Sequence, residues 1–150
     1  MNLFGVLDIS ASALLAERQR AEVVTSNLAN AESAGANPAK VYRRQEVVFG
    51  SQAMPFAETL AAAGGASQGA SANVGEGVAV EGVVTDSSPL VRRYEPGNVN
   101  ADAAGYVSYP NVNPVQEMTD LMEAVRSYQL NISAAQATKS MIQQSLTLLS

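Results

Sequence analysis

MTDLMEAVRSYQLNISAAQATKSMIQQSLTLL, residues 118–149, decides the fold. Its apolar positions recur at alternating spacings of three and four: Met118, Leu121, Val125, Tyr128, Ile132, Ala135, Lys139, Ile142, Leu146 and Leu149, with Lys139 the one charged member. That period predicts a long amphipathic helix with a coiled-coil seam. A seam of this length, ~50 Å at 1.5 Å per residue, needs a partner surface of similar length to leave water. The partners expected are the chain's other end and other copies of the chain.

The helix has a defined start. Asn113 occupies the N-cap position, Pro114 the first helical position, and Gln116 stands where a capping box places its return acceptor. Glu117, Asp120 and Glu123 set negative charge in the first turns, where the helix dipole favours it. After Lys139 no charge follows, so the tail of the helix is expected to be covered.

A matching stripe opens the chain. Leu7, Leu14, Ala21 and Leu28 lie one heptad apart, with Ala11, Val24 and Ala31 beside them, and predict a helix over about 8–31. Its seam is rich in alanine, which permits close approach but buries little area, so the helix alone is marginal in water.

Between the helices the pattern changes. Ala34-Gly35-Ala36-Asn37-Pro38 is turn chemistry, and Val41–Phe49 has strand composition, with Arg43 and Arg44 placed near its exposed part. Residues from about 61 to 77 are mostly Gly, Ala and Ser and are read as a mobile loop, because they cannot offset their ordering entropy by burial. Val78–Thr85 is the strongest strand, and Leu90–Tyr94 is its expected partner across the turn Asp86-Ser87-Ser88-Pro89. A short extended piece, Gly105–Tyr109, precedes Pro110. The fold class is therefore α+β: residues 1–36 and 112–150 form a terminal helical coiled-coil region, and 37–111 form a central β-rich module.

Composition removes several functions. The chain has no His and no Cys, so the commonest general base, thiolate metal sites and disulfides are absent. The net charge is −5 and the basic residues form no continuous stripe, which argues against nucleic acid as a partner. No run approaches the length of a membrane span, and no basic residue precedes Arg18, as the positive end of a cleaved signal peptide would require.

Candidate sites fare no better. Asn98-x-Asn100-x-Asp102 has the alternating oxygens of a calcium loop, yet Ala103 stands where Gly is needed and Tyr109 where a bidentate acid is needed. It reads as a turn that bonds its own backbone. Gly75-Glu76-Gly77 lacks the third glycine of a dinucleotide fingerprint, and Glu76, Glu81, Glu95 and Asp102 have no convergent polar group to make an acid–base pair. No catalytic residue, cofactor or metal is expected, and the chain is read as no enzyme. Lys139 either carries its head to solvent or sets the register of the seam against an acid. The pairs Arg43-Arg44 and Arg92-Arg93 are surface charges by default, and on adjacent strands they would suit an acidic neighbour.

Several segments resemble a known family. Ser26-Asn27-Leu28-Ala29-Asn30, then Ala101-Asp102-Ala103-Ala104-Gly105-Tyr106-Val107, and Pro110-Asn111-Val112-Asn113 leading into Glu117-Met118 and Arg126-Ser127-Tyr128-Gln129, are similar to the bacterial flagellar rod and hook axial proteins. The Gly-Tyr-Val followed by Pro-Asn-Val points to the proximal rod. A departure falls at Gly97-Asn98-Val99-Asn100, where a His-Pro pair is more usual. The resemblance implies a structural subunit of the proximal rod, needed for motility and exported unfolded through the flagellar type III apparatus into the rod that crosses the periplasm. It implies as partners other copies and the rod proteins FlgB, FlgF, FlgG and FliE, with the terminal helices inward and the β module outward. The competing reading is a self-contained helical hairpin, serving as a binding module or as an adaptor of a type III system.

Overall fold

The computed structural model describes residues 3–35, 37–52 and 77–148. Its elements in chain order are helix α1 (Leu3–Asn30), a single 3-10 turn (Pro38–Lys40), strands β1 (Gln45–Gln52), β2 (Gly77–Thr85), β3 (Val91–Tyr94) and β4 (Tyr106–Tyr109), and helix α2 (Pro114–Leu148). Two long helices flanking, in chain order, a small group of antiparallel strands is the α+β arrangement expected. Gly77 belongs to β2 rather than to the Gly/Ala/Ser loop, whose other residues, 61–76, lie outside the described residues together with Leu149.

Strand pairing differs from expectation. β1 pairs with β2, and β3 pairs with β4, so Val78–Thr85 and Leu90–Tyr94 do not form a hairpin with each other. Local bonding explains the break. The Asp86 amide donates to the Arg44 carbonyl at 2.8 Å, continuing toward β1, while the Asp86 side chain accepts from the Ser88 amide at 2.8 Å and turns the chain away before Pro89, which has no N–H. β1 also begins at Gln45 rather than Val41, which serves instead as the C-cap of the 3-10 turn that Asn37 caps by accepting from the Ala39 amide.

The chain divides into two compact units. One comprises Met1–Arg18, Phe49–Glu81 and Arg126–Ser150. Its buried residues include Ser10, Ala16 and Thr138, small side chains that let backbones approach, and the Ser12 hydroxyl accepts from the Val78 amide at 3.1 Å, tying α1 to β2. Ser10 and Thr138 satisfy their own hydroxyls on the carbonyls of Val6 and Ala134 one turn earlier.

The other unit comprises Gln19–Val48 and Gly82–Val125. Val24, Ala31, Val41, Val107 and Ala124 are its buried apolar residues. β3 and β4 align Val91 with Tyr109, Arg92 with Ser108, Arg93 with Val107 and Tyr94 with Tyr106. The last pair meets edge to face at 5.3 Å, and the Arg92 and Arg93 guanidiniums lie over the rings of Tyr106 and Tyr109 at 4.9 and 4.8 Å. Behind β4, the Gly35 amide donates to the Ser108 carbonyl and joins the chain leaving α1 to this hairpin.

One glycine is required in the hairpin. Gly105 has φ +80°, and a Cβ there would meet the Tyr94 ring at 2.9 Å and Pro96 at 3.3 Å. The left-handed backbone and the close ring together exclude other residues. Its N–H donates to the Asp102 carbonyl and its C=O accepts from the Glu95 amide, so the turn delivers Tyr106 and the wholly buried Val107 to their places in β4.

Candidate functional site

The loop joining β3 to β4 carries the residues with calcium-like spacing, and the side-chain oxygens of Asn98 and Asp102 are committed to the chain itself. Asn98 Oδ1 accepts from the Asn100 amide at 3.0 Å, and Asp102 Oδ1 accepts from the Ala104 and Tyr106 amides at 2.8 and 2.9 Å. Asp102 Oδ2 accepts from Arg92 at 2.6 Å. Glu95 Oε2 accepts from Asn98 Nδ2 at 2.9 Å and from the Tyr109 hydroxyl at 3.0 Å. Among the described residues no cluster of acids has the arrangement of a metal site.

These bonds stabilise the charged carboxylates. Glu95 is held below its ordinary range by the bonds from Asn98 and then Tyr109, and Asp102 by the Tyr106 amide first, with Ala104 and Arg92 adding to it. A carboxyl whose folded value is depressed adds stability that is present above its unfolded value and lost as pH falls through the folded one. The β3–β4 hairpin is therefore expected to loosen as pH drops below about 4. Protection of the Tyr106 amide, followed by NMR, should decline over that range; a hairpin unchanged down to about pH 2 would contradict the assignment.

The second set of candidate residues is the pair of helical stripes. On α2 the residues most removed from water are Glu117, Ala124 and Thr138, each one position before a predicted seam residue: Met118, Val125 and Lys139. One residue is about 100° around a helix, so the predicted seam lies beside the face buried within the chain rather than on it. Leu121, Ile132, Ala135 and Ile142 straddle the boundary and are half-buried, while Tyr128 and Lys139 are exposed. Met118, Val125 and Leu146 are exposed by 52%, 45% and 63%, and Val115 and Met122, in the same rows as Met118 and Val125, by 72% and 65%. On α1 the heptad residues Leu7, Leu14, Ala21 and Leu28 are all half-buried. Helices that turn small and polar residues inward and leave Met, Val and Leu outward have apolar surface left for a partner.

The family-like segment near the end of α1 has a different part. Asn27 is 1% exposed and Glu117, at the start of α2, is 0% exposed. Asn27 Oδ1 accepts from the Gln45 amide at 2.9 Å and from the Tyr42 hydroxyl at 2.8 Å, and its Nδ2 donates to the Gln45 carbonyl at 2.8 Å and to Glu117 Oε2 at 3.0 Å. Glu117 Oε1 accepts from Arg44 Nε at 2.6 Å, and Arg44 reaches on to Glu46 and, at 3.5 Å, to Asp120. Burial alone would lower the Arg44 pKa, but the bonds to Glu117 and Glu46 outweigh it and hold the guanidinium above its ordinary value. Ser26 shares the Tyr42 hydroxyl at 3.3 Å, Asn30 caps back onto the Ser26 carbonyl, Leu28 is half-buried and Ala29 is exposed.

Arg44 is thus no exposed docking charge, and the sequence reading of Arg43 and Arg44 as an equivalent pair is corrected. Arg43 is exposed and donates to the Asp86 and Ser88 carbonyls, while Arg44 is drawn inward by Glu117. Arg92 is engaged with Asp102 across the loop. Glu117 itself was legible only as a first-turn acid, and nothing in its neighbourhood along the chain signalled its burial. Of the other motif residues, Val107 and Pro110 are buried, Gly105 and Val112 half-buried, Tyr106 and Asn111 exposed. Asn113 caps α2 by accepting from the Val115 amide at 3.1 Å.

Two long helices with outward apolar rows and a small β module suit a structural subunit, and the flagellar axial rod proteins are the class whose members this chain matches. Two family descriptions match at the two ends: flagella basal body rod protein over residues 7–36, and flagellar basal body rod FlgEFG protein C-terminal over residues 103–148. The flagellar basal-body rod proteins FlgC of Escherichia coli O6:H1 and of Salmonella typhimurium are 43% and 42% identical, each over 99% of this chain and 98% of their own length. FlgC of Bacillus subtilis is 39% identical over 97% of both chains. The chain belongs to the FlgC family, and it is a structural, non-enzymatic rod subunit of the bacterial flagellar basal body.

Proposed function

We propose that the chain assembles axially in the proximal rod by packing the outward rows of its terminal helices against neighbouring copies and other rod proteins. The neighbours so engaged are FlgB, FlgF, FlgG and FliE, the rod lies in the periplasm, and the chain reaches it unfolded through the flagellar type III export apparatus. The observation that carries this reading is the placement of Met118, Met122 and Val125 on α2, beside rather than on the face that the chain buries for itself. Heterologous contacts of this kind continue from copy to copy and give an open helical assembly. The absence of Cys suits a chain that crosses compartments without forming wrong bridges. Among the described residues no helix is long and apolar enough to cross a membrane.

Interface residues on this reading are Leu7, Leu14, Ala21 and Leu28 on α1, with Met118, Leu121, Val125, Tyr128, Ile132, Ala135, Lys139, Ile142 and Leu146 on α2. The test is Ile132→Asp. Ile132 is half-buried in the single chain, and a carboxylate pressed between copies there would cost several kcal/mol if left unpaired. The variant should keep its β module, read from the dispersed amide spectrum of β3 and β4, and be missing from purified basal bodies. Incorporation at the wild-type level would sink the packing reading.

A further inference from the structure

We propose that Asn27, Glu117 and Arg44 form a register lock that closes the junction of α1, β1 and α2 inside a single chain, before copies meet. A carboxamide is chemically a peptide group, and Asn27 uses it as one: it meets both the N–H and the C=O of Gln45, as a neighbouring strand would. Its remaining donor and remaining acceptor site go to Glu117 and Tyr42, which exhausts its bonding capacity. The reversed amide would aim its NH2 at the Gln45 N–H and its oxygen at the Glu117 carboxylate. One orientation satisfies the cluster.

The selectivity lies in what a slip would leave behind. Sliding β1 by one residue along α1 would turn its side chains to the opposite face and offer Asn27 no matching N–H and C=O. It would also carry Arg44 away from Glu117, whose fully buried carboxylate would then face Asn27 alone. The apolar part of this unit cannot discriminate so sharply, since Val24, Ala31, Val41 and Ala124 are small and would repack at little cost. A buried polar group that fixes register is a recognised use of such groups in helical assemblies. Because Asn27 and Glu117 are buried and their side-chain polar atoms are all bonded, the junction leaves no polar group that needs a neighbour. This inference is independent of whether the apolar rows pair copies.

The test uses the full chain, diluted until it is monomeric. Amide exchange at Gln45 in the wild type should be slowed by roughly tenfold or more relative to an unprotected amide. Exchange there at the unprotected rate would overturn the lock. A rescue experiment probes the specific bond. Asn27→Asp sets a second carboxylate against Glu117 and removes the donor to the Gln45 carbonyl, so the urea midpoint should fall, or the chain should fail to fold. Adding Glu117→Gln returns a donor facing an acceptor, and the double variant should be more stable than Asn27→Asp alone, although Glu117→Gln by itself is destabilising. A double variant no better than Asn27→Asp, with both unfolded or both equally weakened, would overturn the proposal, as would an Asn27→Asp variant as stable as the wild type.

Discussion

Replacing Glu117 with alanine is expected to destabilise the unit that contains it by about 3 kcal/mol, the low end of the ~3–5 kcal/mol cost of breaking a buried ion pair from one side. The carboxylate is fully buried and bonded to both Arg44 and Asn27, so its removal strands a guanidinium N–H and an amide N–H where water does not reach them easily. The low end applies because Arg44 keeps Glu46 and Asp120 and its side chain remains 18% exposed, which lets its charge be partly rehydrated. Urea unfolding followed by circular dichroism measures the loss. A change under about 1 kcal/mol, the scale of an exposed ion pair, would show that the cluster is solvated and the burial unimportant.

The second large effect is on assembly rather than stability. With Met118→Asp and Met122→Asp together, the isolated chain should unfold within about 0.5 kcal/mol per site of the wild type, because both side chains are more than half exposed. In the rod the same two carboxylates would sit in the row proposed to meet a neighbour, and desolvating them without partners costs several kcal/mol. The expected result is a folded, exportable subunit that fails to appear in basal bodies and leaves cells non-motile. The single-chain measurement separates this from misfolding. Rods containing the double variant at normal occupancy would show that this face of α2 points away from every neighbour.

The contrast between these variants shows what a period can and cannot report. Apolar spacing over residues 118–149 located α2, because a regular pattern sustained for many turns has few alternative explanations. It did not separate the face buried within the chain from the face left outward, because on α2 the inward residues are Glu117, Ala124 and Thr138, two polar and one small, which give little apolar signal. Strand pairing failed for a related reason. Val78–Thr85 was legible from its own composition, but the self-capping of Asp86 turns the chain away from it and the left-handed Gly105 returns β4 to β3, and neither advertises which strand pairs with which.

Residue order by itself determined the two long helices, the Asn113 cap, the existence of a small β module and the absence of His and Cys chemistry, since these rest on local propensity and on composition. The motif segments carried the family. Only the tertiary structure decided that Asn27, Arg44 and Glu117, separated by as many as 90 residues, share their bonds. Burial turns such polar groups into obligatory partners, and burial is a property of the packed chain that no single segment carries.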